Sequence, residues 1–391
     1  MKAIVYGLAR SGVSAAERLR EAGDEVVLVD RSLGNEDDLS LLDGAGLLVK
    51  SPGVPGEIPL VAAARERGTP VWSEVELGFR LLTGARFVGV TGTNGKTTTT
   101  ELLGAIFRAA GRDVAVAGNV GTPLSSVRSA DWVVCELSSF QLEDVHALAC
   151  DVAVLLNLEP DHLDRHGTFD AYRAAKLRVF ERAEAAVVPR GFTFDNSYRP
   201  VTVVEFEATD ELPAEPRIRG PHNRENAAAA TAAARVAGID DAAIAEALQA
   251  FPGVPHRLEV VGERGGVRYV NDSKATNVAA ARRALAAYAT EPVHLILGGS
   301  LKGEDFGPLA ADVGPNVRSL HLIGEAALQL EAALAGREPS LDGDLEHAIA
   351  HAARLASPGD VILLSPACAS YDQFANFEER GEAFRRLAAI E

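Results

Sequence analysis

Short runs of apolar residues recur along this chain and alternate with longer stretches of helix-forming residues. Short apolar runs bounded by glycine or polar residues are typical of buried β-strands. Strands that alternate with helices predict parallel sheets that are covered by helices. The predicted strands are residues 3–6, 25–29, 47–49, 87–90, 114–116, 132–135, 152–156, 267–270, 293–297, 319–323 and 361–364. The pattern therefore predicts an α/β fold.

The chain is too long, at 391 residues, for one ordinary hydrophobic core. Residues 251–257, FPGVPHR, have the proline and glycine content of a linker or hinge. We therefore predict three domains, at residues 1–84, 85–251 and 252–391, each with a largely parallel sheet flanked by helices. The first and third are expected to be Rossmann-like, and the central one to resemble P-loop ATPases.

Composition and charge restrict the possible partners of the chain. Hydrophobic residues make up 47% and charged residues 24%, which is typical of globular proteins. The formal net charge of −17 disfavours general binding to nucleic acid or to an anionic membrane. Cys135, Cys150 and Cys368 have no metal-ligand spacing, so we expect buried free thiols. Without a signal-peptide pattern or a long apolar run, a cytoplasmic protein is expected.

The sequence FVGVTGTNGKTTTTE, residues 87–101, joins a predicted strand to a predicted helix through a glycine-rich turn. In the usual G-x-x-x-x-G-K-[ST] spacing the first glycine would fall on Val90, so the match is to a shorter T-G-T-N-G-K-T form. Backbone N–H groups of such a loop bind phosphate, Lys96 reaches the β- and γ-phosphates, and the Thr97 hydroxyl ligates Mg²⁺. An ordinary turn before a helix is the alternative, which the order of strand, loop, lysine and hydroxyl disfavours.

Acidic and imidazole side chains follow the next predicted strands. Glu136 ends a strongly apolar strand, where a carboxylate can hold a nucleotide-bound Mg²⁺. Residues 157–166 pack acids and histidines into one loop, and His162 is a candidate ligand for a divalent ion. A solvated strand-end acid and a structural histidine are the alternatives. Lys176 lies in a predicted helix, 170–182, and by composition reads as a surface lysine.

The first segment has a weaker nucleotide signature. The loop GLARSG, residues 7–12, follows the first strand, and Asp30 ends the second. Ala9 replaces the second glycine of G-x-G-x-x-G, which disfavours an NAD-linked dehydrogenase. Two interpretations of the loop remain open: it is a purely structural turn, or it binds a nucleotide diphosphate at the helix N-terminus. Residues 51–55 form a rigid loop at a strand end, which is either a ligand contact or a plain turn.

Polar side chains also follow the predicted strands of the last segment. Lys274, Lys302 and Ser370 each come after a strand, so they are expected to meet at one rim and to suit a small carboxylate. Asn277 or Thr276 is expected to cap the helix that follows. Upstream, Asn223 is a candidate cap for an alanine-rich helix, and Asn226 one turn further is either a phosphate contact or an ordinary amide.

Eight motifs occur here in one order: TGTNGKTT, ELSSFQLE, EPDHLDRH, YRAAKLRVF, GPHNREN, PHRLE, NDSKATN and SPACASYDQF. Together they resemble the Mur ligases, and within them the members that add D-glutamate to UDP-N-acetylmuramoyl-L-alanine. The resemblance covers nearly the whole chain. It implies an ATP-dependent amide ligase of peptidoglycan precursor synthesis that forms an acyl phosphate and uses ATP and Mg²⁺ at two ion sites. Its partners would be these two small substrates, and we expect a monomer.

The resemblance also implies roles for individual residues. Lys96 would be catalytic, and Lys176 would be carbamylated, since a carbamate offers a metal an anionic oxygen where an ammonium would repel it. The implied metal ligands are Thr97, Glu136, His162 and Lys176. The implied ATP-binding residues are Gly92, Thr93, Asn94, Gly95, Lys96, Thr97, Thr98, Asn226, Arg257 and Asp272. The implied contacts to the UDP-muramoyl substrate are Ser11, Gly12, Asp30, Arg31, Gly53, Asn119, Ser138 and His162. The implied D-glutamate contacts are Lys274, Thr276, Lys302, Ser370 and Phe377.

Three other functions remain open from the sequence. A Mur-type ligase for another amino acid is the nearest, although the Asn-Pro-Arg motif of the diaminopimelate- and lysine-adding members is absent. The phosphate loop alone also fits a folylpolyglutamate-type ligase. A non-catalytic nucleotide-binding regulator would keep this loop but would need neither Glu136 nor His162.

Overall fold

The computed structural model describes residues 1–194, 198, 200–301, 303 and 305–389. Its contacts divide the chain into two compact units. The first unit contains Met1–Pro216 and Glu225–Phe251, and the second contains Arg217–Arg224 and Pro252–Glu391. Three sheets flanked by helices confirm the predicted α/β class, while the three domain boundaries stay a prediction.

The first sheet belongs to the first unit and has parallel strands. Its elements are β1 (Lys2–Tyr6), α1 (Arg10–Glu21), β2 (Glu25–Val29), β3 (Ala45–Lys50), α2 (Pro59–Glu66), β4 (Val71–Ser73) and α3 (Glu74–Leu81). The strand order is β2-β1-β3-β4. Residues 3–6 of β1 and 47–49 of β3 are buried, because helices cover both faces of a parallel sheet.

The second sheet, also in the first unit, has six parallel strands. Its strands are β5 (Arg86–Thr91), β6 (Val114–Gly118), β7 (Trp132–Glu136), β8 (Val152–Leu155), β9 (Ala185–Pro189) and β10 (Thr202–Phe206). Its helices are α4 (Lys96–Ala109), α5 (Ser139–Leu142), α6 (Leu163–His166), α7 (Phe169–Leu177), α8 (Pro221–Val236) and α9 (Asp241–Ala250). The order β10-β9-β8-β5-β7-β6 makes β5 the strand at which the chain switches direction across the sheet. Ligands of open α/β sheets bind at the carboxyl ends of such strands.

The third sheet forms the core of the second unit. Its strands are β11 (Glu259–Arg264), β12 (Val267–Asn271), β13 (Val293–Gly298), β14 (Val317–Ile323), β15 (Ser340–Gly343) and β16 (Val361–Leu364). Its helices are α10 (Val278–Ala287), α11 (Gly307–Asp312), α12 (Ala327–Ala333), α13 (Leu345–Leu355) and α14 (Phe377–Ala389). The order is β11-β12-β16-β13-β14-β15, in which only the β11–β12 pairing is antiparallel.

Several local expectations can be compared with the described residues. Cys135, Cys150 and Cys368 are buried thiols outside any disulfide, which confirms their prediction. The expected cap at Asn277 is confirmed, since its side chain accepts from the N–H of Ala280. The predicted cap at Asn223 is wrong, because α8 begins two residues earlier, at Pro221. Proline is well suited to the first position of a helix, since the N–H that it lacks would have no partner within the helix. Among the helices described here, none is long and apolar enough to cross a bilayer.

Buried charged groups fix the first sheet against the second within the first unit. The ammonium of Lys50, which is 1% exposed, lies 3.0 Å from an oxygen of Asp144. Arg65 binds the other oxygen of that carboxylate at 2.7 Å. Glu76 accepts the backbone N–H groups of residues 146–148. These contacts hold the strand-end loops of the two sheets in one arrangement.

The turn between β1 and α1 leaves no room for a side chain at Gly12. A Cβ there would lie 1.8 Å from the carbonyl oxygen of Gly7, which itself has a left-handed φ of +87°. The hydroxyl of Ser51 donates to the same carbonyl at 2.7 Å. Glycine is therefore required at position 12 by a close approach of backbone to backbone.

We expect Gly12→Ala to destabilise the chain by about 1 to 3 kcal/mol, the usual cost of overpacking a tight site. The measurement is the urea midpoint followed by circular dichroism. Gly262→Ala is the matched control, because nothing lies within 4 Å of a Cβ at that position. Equal midpoints for the two variants would contradict the argument.

Candidate active site

The loop between β5 and α4 has the geometry of an anion-binding turn. Gly92 and Gly95 have positive φ values of +151° and +84°, which let the backbone curl at the start of the helix. The ammonium of Lys96 donates to the carbonyl oxygens of Gly92 and Thr93, both at 2.9 Å. The loop thus places a cation and a helix N-terminus together, which is a suitable site for phosphate.

The strand-end loop after β8 fixes this turn from one side. The side-chain oxygen of Asn157 accepts the N–H of Asn94 at 2.8 Å, and its backbone oxygen accepts that of Thr93 at 3.0 Å. From another side, a Cβ at Gly95 would lie 2.2 Å from the side-chain oxygen of Asn226. Asn226, which the sequence linked to ATP, therefore lies directly against the loop.

Lys176 is buried beside the same turn, so its interpretation as a surface lysine is wrong. Its side chain is 2% exposed, and its ammonium donates to the carbonyl oxygen of Gly92 at 2.7 Å. Burial, and after it the nearby Lys96 ammonium, lower its pKa to about 7. The carboxylates of Asp161 and Glu136 act in the opposite direction. Two amines of predicted function thus share one carbonyl oxygen.

Glu136 lies at the carboxyl end of β7, where we predicted a metal-binding carboxylate from the sequence. It ends β7 in register with Val90 of β5, one residue before that strand ends, and is 2% exposed. The amide nitrogen of Asn119 donates to its side chain at 3.1 Å. Thr97 and Thr98 lie in the first turn of α4 and are each 9% exposed. A buried carboxylate and these hydroxyls are hard oxygen donors of the type that Mg²⁺ accepts.

Two histidines of the loop after β8 differ in their surroundings. The side chain of His162 is 50% exposed, and its ring lies 4.8 Å from that of Phe140. His166 is enclosed, and its Nε2 lies 3.0 Å from the hydroxyl of Ser139. Burial lowers the pKa of His166, which favours its neutral form. His166 was not singled out from the sequence, whereas His162 has the exposure that a ligand contact requires.

The hydroxyl of Ser138 has a structural role. It accepts the N–H of Gln141, whose side-chain oxygen accepts the N–H of Ser138 in return. This capping box starts α5. Ser138, Asn119 and His162 all lie in loops at the carboxyl ends of second-sheet strands, as expected from the sequence.

In the first sheet, Asp30 organises the turn that follows β1. Its carboxylate accepts the N–H of Leu8 at 2.8 Å and the hydroxyl of Ser32 at 2.6 Å. The hydroxyl and backbone hydrogen bonds lower its pKa. Of the other residues assigned to the UDP end, Ser11 is half-buried, Gly12 is buried, and Arg31 and Gly53 are exposed.

The second unit carries its own group of strand-end residues. Asp272, just after β12, accepts the Ser365 hydroxyl at 2.7 Å and the N–H of Leu258 at 3.2 Å. Burial raises its pKa to about 7, although these hydrogen bonds and the charge of Arg257 oppose the shift. Arg257 itself is exposed. Asp272 therefore joins three segments of this unit.

Four of the five residues assigned to D-glutamate are among the described residues, and these four lie in the same unit. The ammonium of Lys274 lies 3.6 Å from the ring centroid of Phe377, a close cation–π contact. Thr276 is half-buried, and Ser370 is 2% exposed. Lys302 lies outside the described residues.

Arg380 was missed from the sequence, although it holds three strand-end loops together. It is 1% exposed, and its guanidinium donates to the carbonyl oxygens of Ser273, Cys368 and Ala369 at 2.9 to 3.1 Å. A longer contact of 3.5 Å to the carbonyl oxygen of Gly298 reaches the end of β13. Burial lowers its pKa to about 10, which leaves it cationic at neutral pH. Helical spacing could have indicated its burial, because position 380 lies four residues before Phe384 on the same buried face of α14.

Family models match the central and last parts of the chain. The Mur ligase middle domain matches residues 90–196. The Mur ligase glutamate ligase domain matches residues 256–368. These ranges contain the phosphate loop, Lys176 and the strand ends of the second unit.

Curated relatives match nearly the whole chain. A UDP-N-acetylmuramoylalanine–D-glutamate ligase of Anaeromyxobacter dehalogenans is 44% identical over 98% of this chain and 96% of its own length. One of the same name from Sphingopyxis alaskensis is 41% identical over 99% and 96%.

Solved structures share the fold at lower identity. The UDP-N-acetylmuramate-alanine ligase of Thermotoga maritima has a TM-score of 0.64 at 19% identity, over 99% of this chain and 98% of that one. A bifunctional folylpolyglutamate synthase/dihydrofolate synthase from Yersinia pestis, complexed with AMPPNP and Mn ion, has a TM-score of 0.60 at 20% identity, over 80% and 92%.

Proposed function

This chain belongs to the Mur ligase family, with the UDP-N-acetylmuramoylalanine–D-glutamate ligases, and we propose that it makes the same amide bond. The enzyme is thus an ATP-dependent ligase that joins D-glutamate to UDP-N-acetylmuramoyl-L-alanine for peptidoglycan synthesis. The observation that carries this assignment is the similarity to such ligases over nearly the whole chain. Both substrates are small and soluble, and we propose that the chain works as a cytoplasmic monomer.

The reaction has two bond-forming steps. The terminal carboxylate of UDP-N-acetylmuramoyl-L-alanine attacks the γ-phosphorus of ATP, which gives an acyl phosphate and ADP. The amine of D-glutamate then attacks the acyl carbon, loses a proton, and expels inorganic phosphate. The carboxylate and the γ-phosphate are both anionic, so their approach requires positive charge and accurate positioning.

The phosphate loop would supply part of that charge. Lys96 donates to two loop carbonyl oxygens, and we propose that its ammonium turns to the β- and γ-phosphates when ATP binds. The loop N–H groups of residues 92–98 would hold the same phosphates. Asn226 lies against Gly95, which supports its assignment to the nucleotide. Arg257 and Asp272 are proposed as further ATP contacts.

A divalent ion suits the donors beside this loop. Thr97 and Glu136 would hold the nucleotide-bound Mg²⁺, and His162 would help to bind a second ion. The buried carboxylate of Glu136 supports this arrangement, because burial of an anion is costly without a countercharge. Bound at this point, Mg²⁺ would neutralise charge that develops on the transferring phosphoryl group.

Carbamylation of Lys176 explains why a lysine is buried next to another lysine. A neutral amine attacks CO₂, forms an N–C bond and loses one proton, which leaves an anionic carbamate. A pKa of about 7 supports this step, because much of the amine is neutral at physiological pH. The carbamate oxygen would then be a hard ligand for Mg²⁺, whereas the ammonium would repel it.

The remaining assignments concern the two organic substrates. Lys274 and Lys302 would pair with the carboxylates of D-glutamate, with Thr276, Ser370 and Phe377 around it. The packing of Lys274 on Phe377 supports a fixed position for that ammonium. The UDP end would contact Ser11, Gly12, Asp30, Arg31 and Gly53, and the muramoyl part would contact Asn119, Ser138 and His162.

We expect phosphate release only when ATP, UDP-N-acetylmuramoyl-L-alanine and D-glutamate are all present. A panel with L-glutamate, L-lysine, diaminopimelate and L-alanine should give kcat/KM values at least about 100-fold lower, because groups placed for both carboxylates of D-glutamate reject substrates that leave them unpaired or misplaced. A preference for another amino acid would assign the chain to a sibling ligase. Folate-dependent ADP release would favour folate chemistry, and the absence of any turnover would favour a nucleotide-binding regulator.

A further inference from the structure

A line of hydrogen-bonded polar side chains crosses one face of the third sheet, away from the strand-end loops described above. It begins at Asp360, whose carboxylate lies 3.1 Å from Nε2 of His294. Nδ1 of His294 lies 2.7 Å from the Ser319 hydroxyl, which is 2.7 Å from Nε2 of His321. Nδ1 of His321 then lies 2.6 Å from a carboxylate oxygen of Asp342.

Two more side chains meet this line at Asp342. Nδ1 of His351 lies 2.9 Å from the second carboxylate oxygen, and the hydroxyl of Ser340 donates to that same oxygen at 2.8 Å. His321 is fully buried, the Asp342 side chain is 8% exposed, and that of His351 is 32% exposed. The cluster therefore has an enclosed side and one side open to solvent.

Three elements bring the cluster together. His321 lies on β14 and Asp342 on the edge strand β15, and the two strands pair in parallel with His321 opposite Ser340. His351 lies on α13, which packs against both strands. One ligand atom from each of His321, Asp342 and His351 lies within 4.8 Å of the other two.

The number of hydrogens in this line does not match the number of contacts. Four contacts join Asp360, His294, Ser319, His321 and Asp342, and each needs one hydrogen. Two neutral imidazoles and one hydroxyl carry only three. Without a further ligand, a buried line of side chains must therefore carry an additional proton.

A metal ion on Nδ1 of His321 removes this mismatch. Nε2–H of His321 then donates to the Ser319 hydroxyl, which donates to Nδ1 of His294, whose Nε2–H donates to Asp360. Three hydrogens serve three contacts, and every group is satisfied. Metal-bound histidines are held by such hydrogen bonds on the second ring nitrogen.

We propose that His321, Asp342 and His351 form a binding site for a divalent transition-metal ion of the Zn²⁺ type. Two imidazoles and one carboxylate favour Zn²⁺ and its first-row neighbours over Mg²⁺ or Ca²⁺, which prefer oxygen ligands alone. Zn–N bonds of about 2.0–2.1 Å and tetrahedral angles require ligand atoms about 3.3 Å apart. Nδ1 of His321 and the facing Asp342 oxygen, which are 2.6 Å apart, would separate to this ligand–ligand distance when the ion binds. Water or the Ser340 hydroxyl would complete the coordination.

Such an ion would have a structural role, distinct from the Mg²⁺ of the ligase reaction. It would connect the edge strand β15 to its neighbour and to α13. None of its ligands belongs to the residues proposed above for ATP or the two substrates. Ligand binding to the folded state alone raises the stability of that state, so thermal stability should depend on the metal.

Titration of the metal-free, full-length protein with Co²⁺ tests the proposal. We expect one equivalent per chain with the visible absorption of a nitrogen-ligated, low-coordinate ion, and a higher melting temperature with Zn²⁺. His351→Ala should lose both signals. His347→Ala is the matched control, since His347 is exposed on the same helix one turn earlier and pairs with Asp344. Oxygen-ligated Co²⁺ near the phosphate loop absorbs weakly and is unchanged by either variant.

A second variant separates the ligands from the residues that orient them. Ser319→Ala keeps all three ligands but removes the hydroxyl between the two histidines, so affinity should fall about 10- to 100-fold. Absence of the absorption band in the wild type, or its persistence in His351→Ala, overturns the proposal. Even if a variant fails to fold, a wild type without the band overturns the proposal, whereas one equivalent of nitrogen-ligated Co²⁺ supports it.

Discussion

Replacing Lys176 with alanine is expected to lower kcat by about 10²- to 10³-fold, the usual effect of removing one preorganised electrostatic group. The reason is the position of its amine, which is buried 2.7 Å from the Gly92 carbonyl oxygen beside the phosphate loop. As a carbamate, this side chain would provide an anionic ligand where Mg²⁺ meets the phosphates. The measurement is phosphate release with saturating ATP and both co-substrates.

Chemical rescue distinguishes a lost carbamate from a damaged fold. Short carboxylic acids can occupy the space left by Lys176→Ala and present an oxygen to the metal, so they should restore part of the activity. Bicarbonate should not, because the variant has no amine to carbamylate. Arg182→Ala, which changes an exposed cation just beyond the same helix, should retain full activity. Full activity of Lys176→Ala without added acid would falsify the carbamate proposal.

The pH dependence of the wild type has a definite sign. Only the neutral amine reacts with CO₂, and the pKa of Lys176 is lowered to about 7. At constant CO₂ pressure, carbamate occupancy should therefore rise as the pH increases through 7. In CO₂-free buffer the folded state holds this proton less tightly than the unfolded state does. The lowered pKa therefore reduces the free energy of unfolding by its full amount below pH 7. The free energy of unfolding recovers as the pH rises from 7 towards the ordinary lysine pKa.

Local patterns were sufficient for the parts of the site that depend on neighbouring residues in the chain. The strand before Gly92 and the helix after Gly95 followed from an apolar run, a glycine-rich turn and a lysine. Glu136 could be placed because it follows an apolar run, and a residue at the end of a buried parallel strand lies at the carboxyl edge of the sheet. The cap at Asn277 followed from side-chain chemistry. In each case the sequence separation is short and the geometry is set by the backbone.

Residues that depend on distant contacts could not be located in this way. Lys176 contacts Gly92, 84 positions earlier in the sequence, and nothing in its own helix indicates that it is buried. The cap at Asn223 was misplaced for a different, local reason. The helix begins at Pro221, and the amide of Asn223 donates to the Arg219 carbonyl oxygen. The histidine of the third sheet, His321, showed no local motif. The other two proposed metal ligands, Asp342 and His351, lie on another strand and on a helix.

Arg380→Met is expected to destabilise the second unit by about 3 to 5 kcal/mol, because several buried carbonyl oxygens would lose their donor at once. The guanidinium joins the loops after β12, β13 and β16 through Ser273, Gly298, Cys368 and Ala369. Those loops carry the residues proposed to bind D-glutamate. Asp272, a proposed ATP contact, lies in the first of these loops. The variant should therefore raise both KM values, and the KM for D-glutamate by the larger factor because it depends on all three loops. Melting temperature and initial rates measure the two effects.

Arg380→Lys separates the need for charge from the need for shape. Lysine keeps the cation but has one compact ammonium, which cannot reach three loops as a planar guanidinium does. We therefore expect Arg380→Lys to recover little of the stability or of the D-glutamate affinity. Arg386→Met, an exposed position on the same helix, is the control and should match the wild type. If Arg380→Lys behaves like the wild type, charge alone is sufficient, and Arg380 does not organise the site through its hydrogen-bonding geometry.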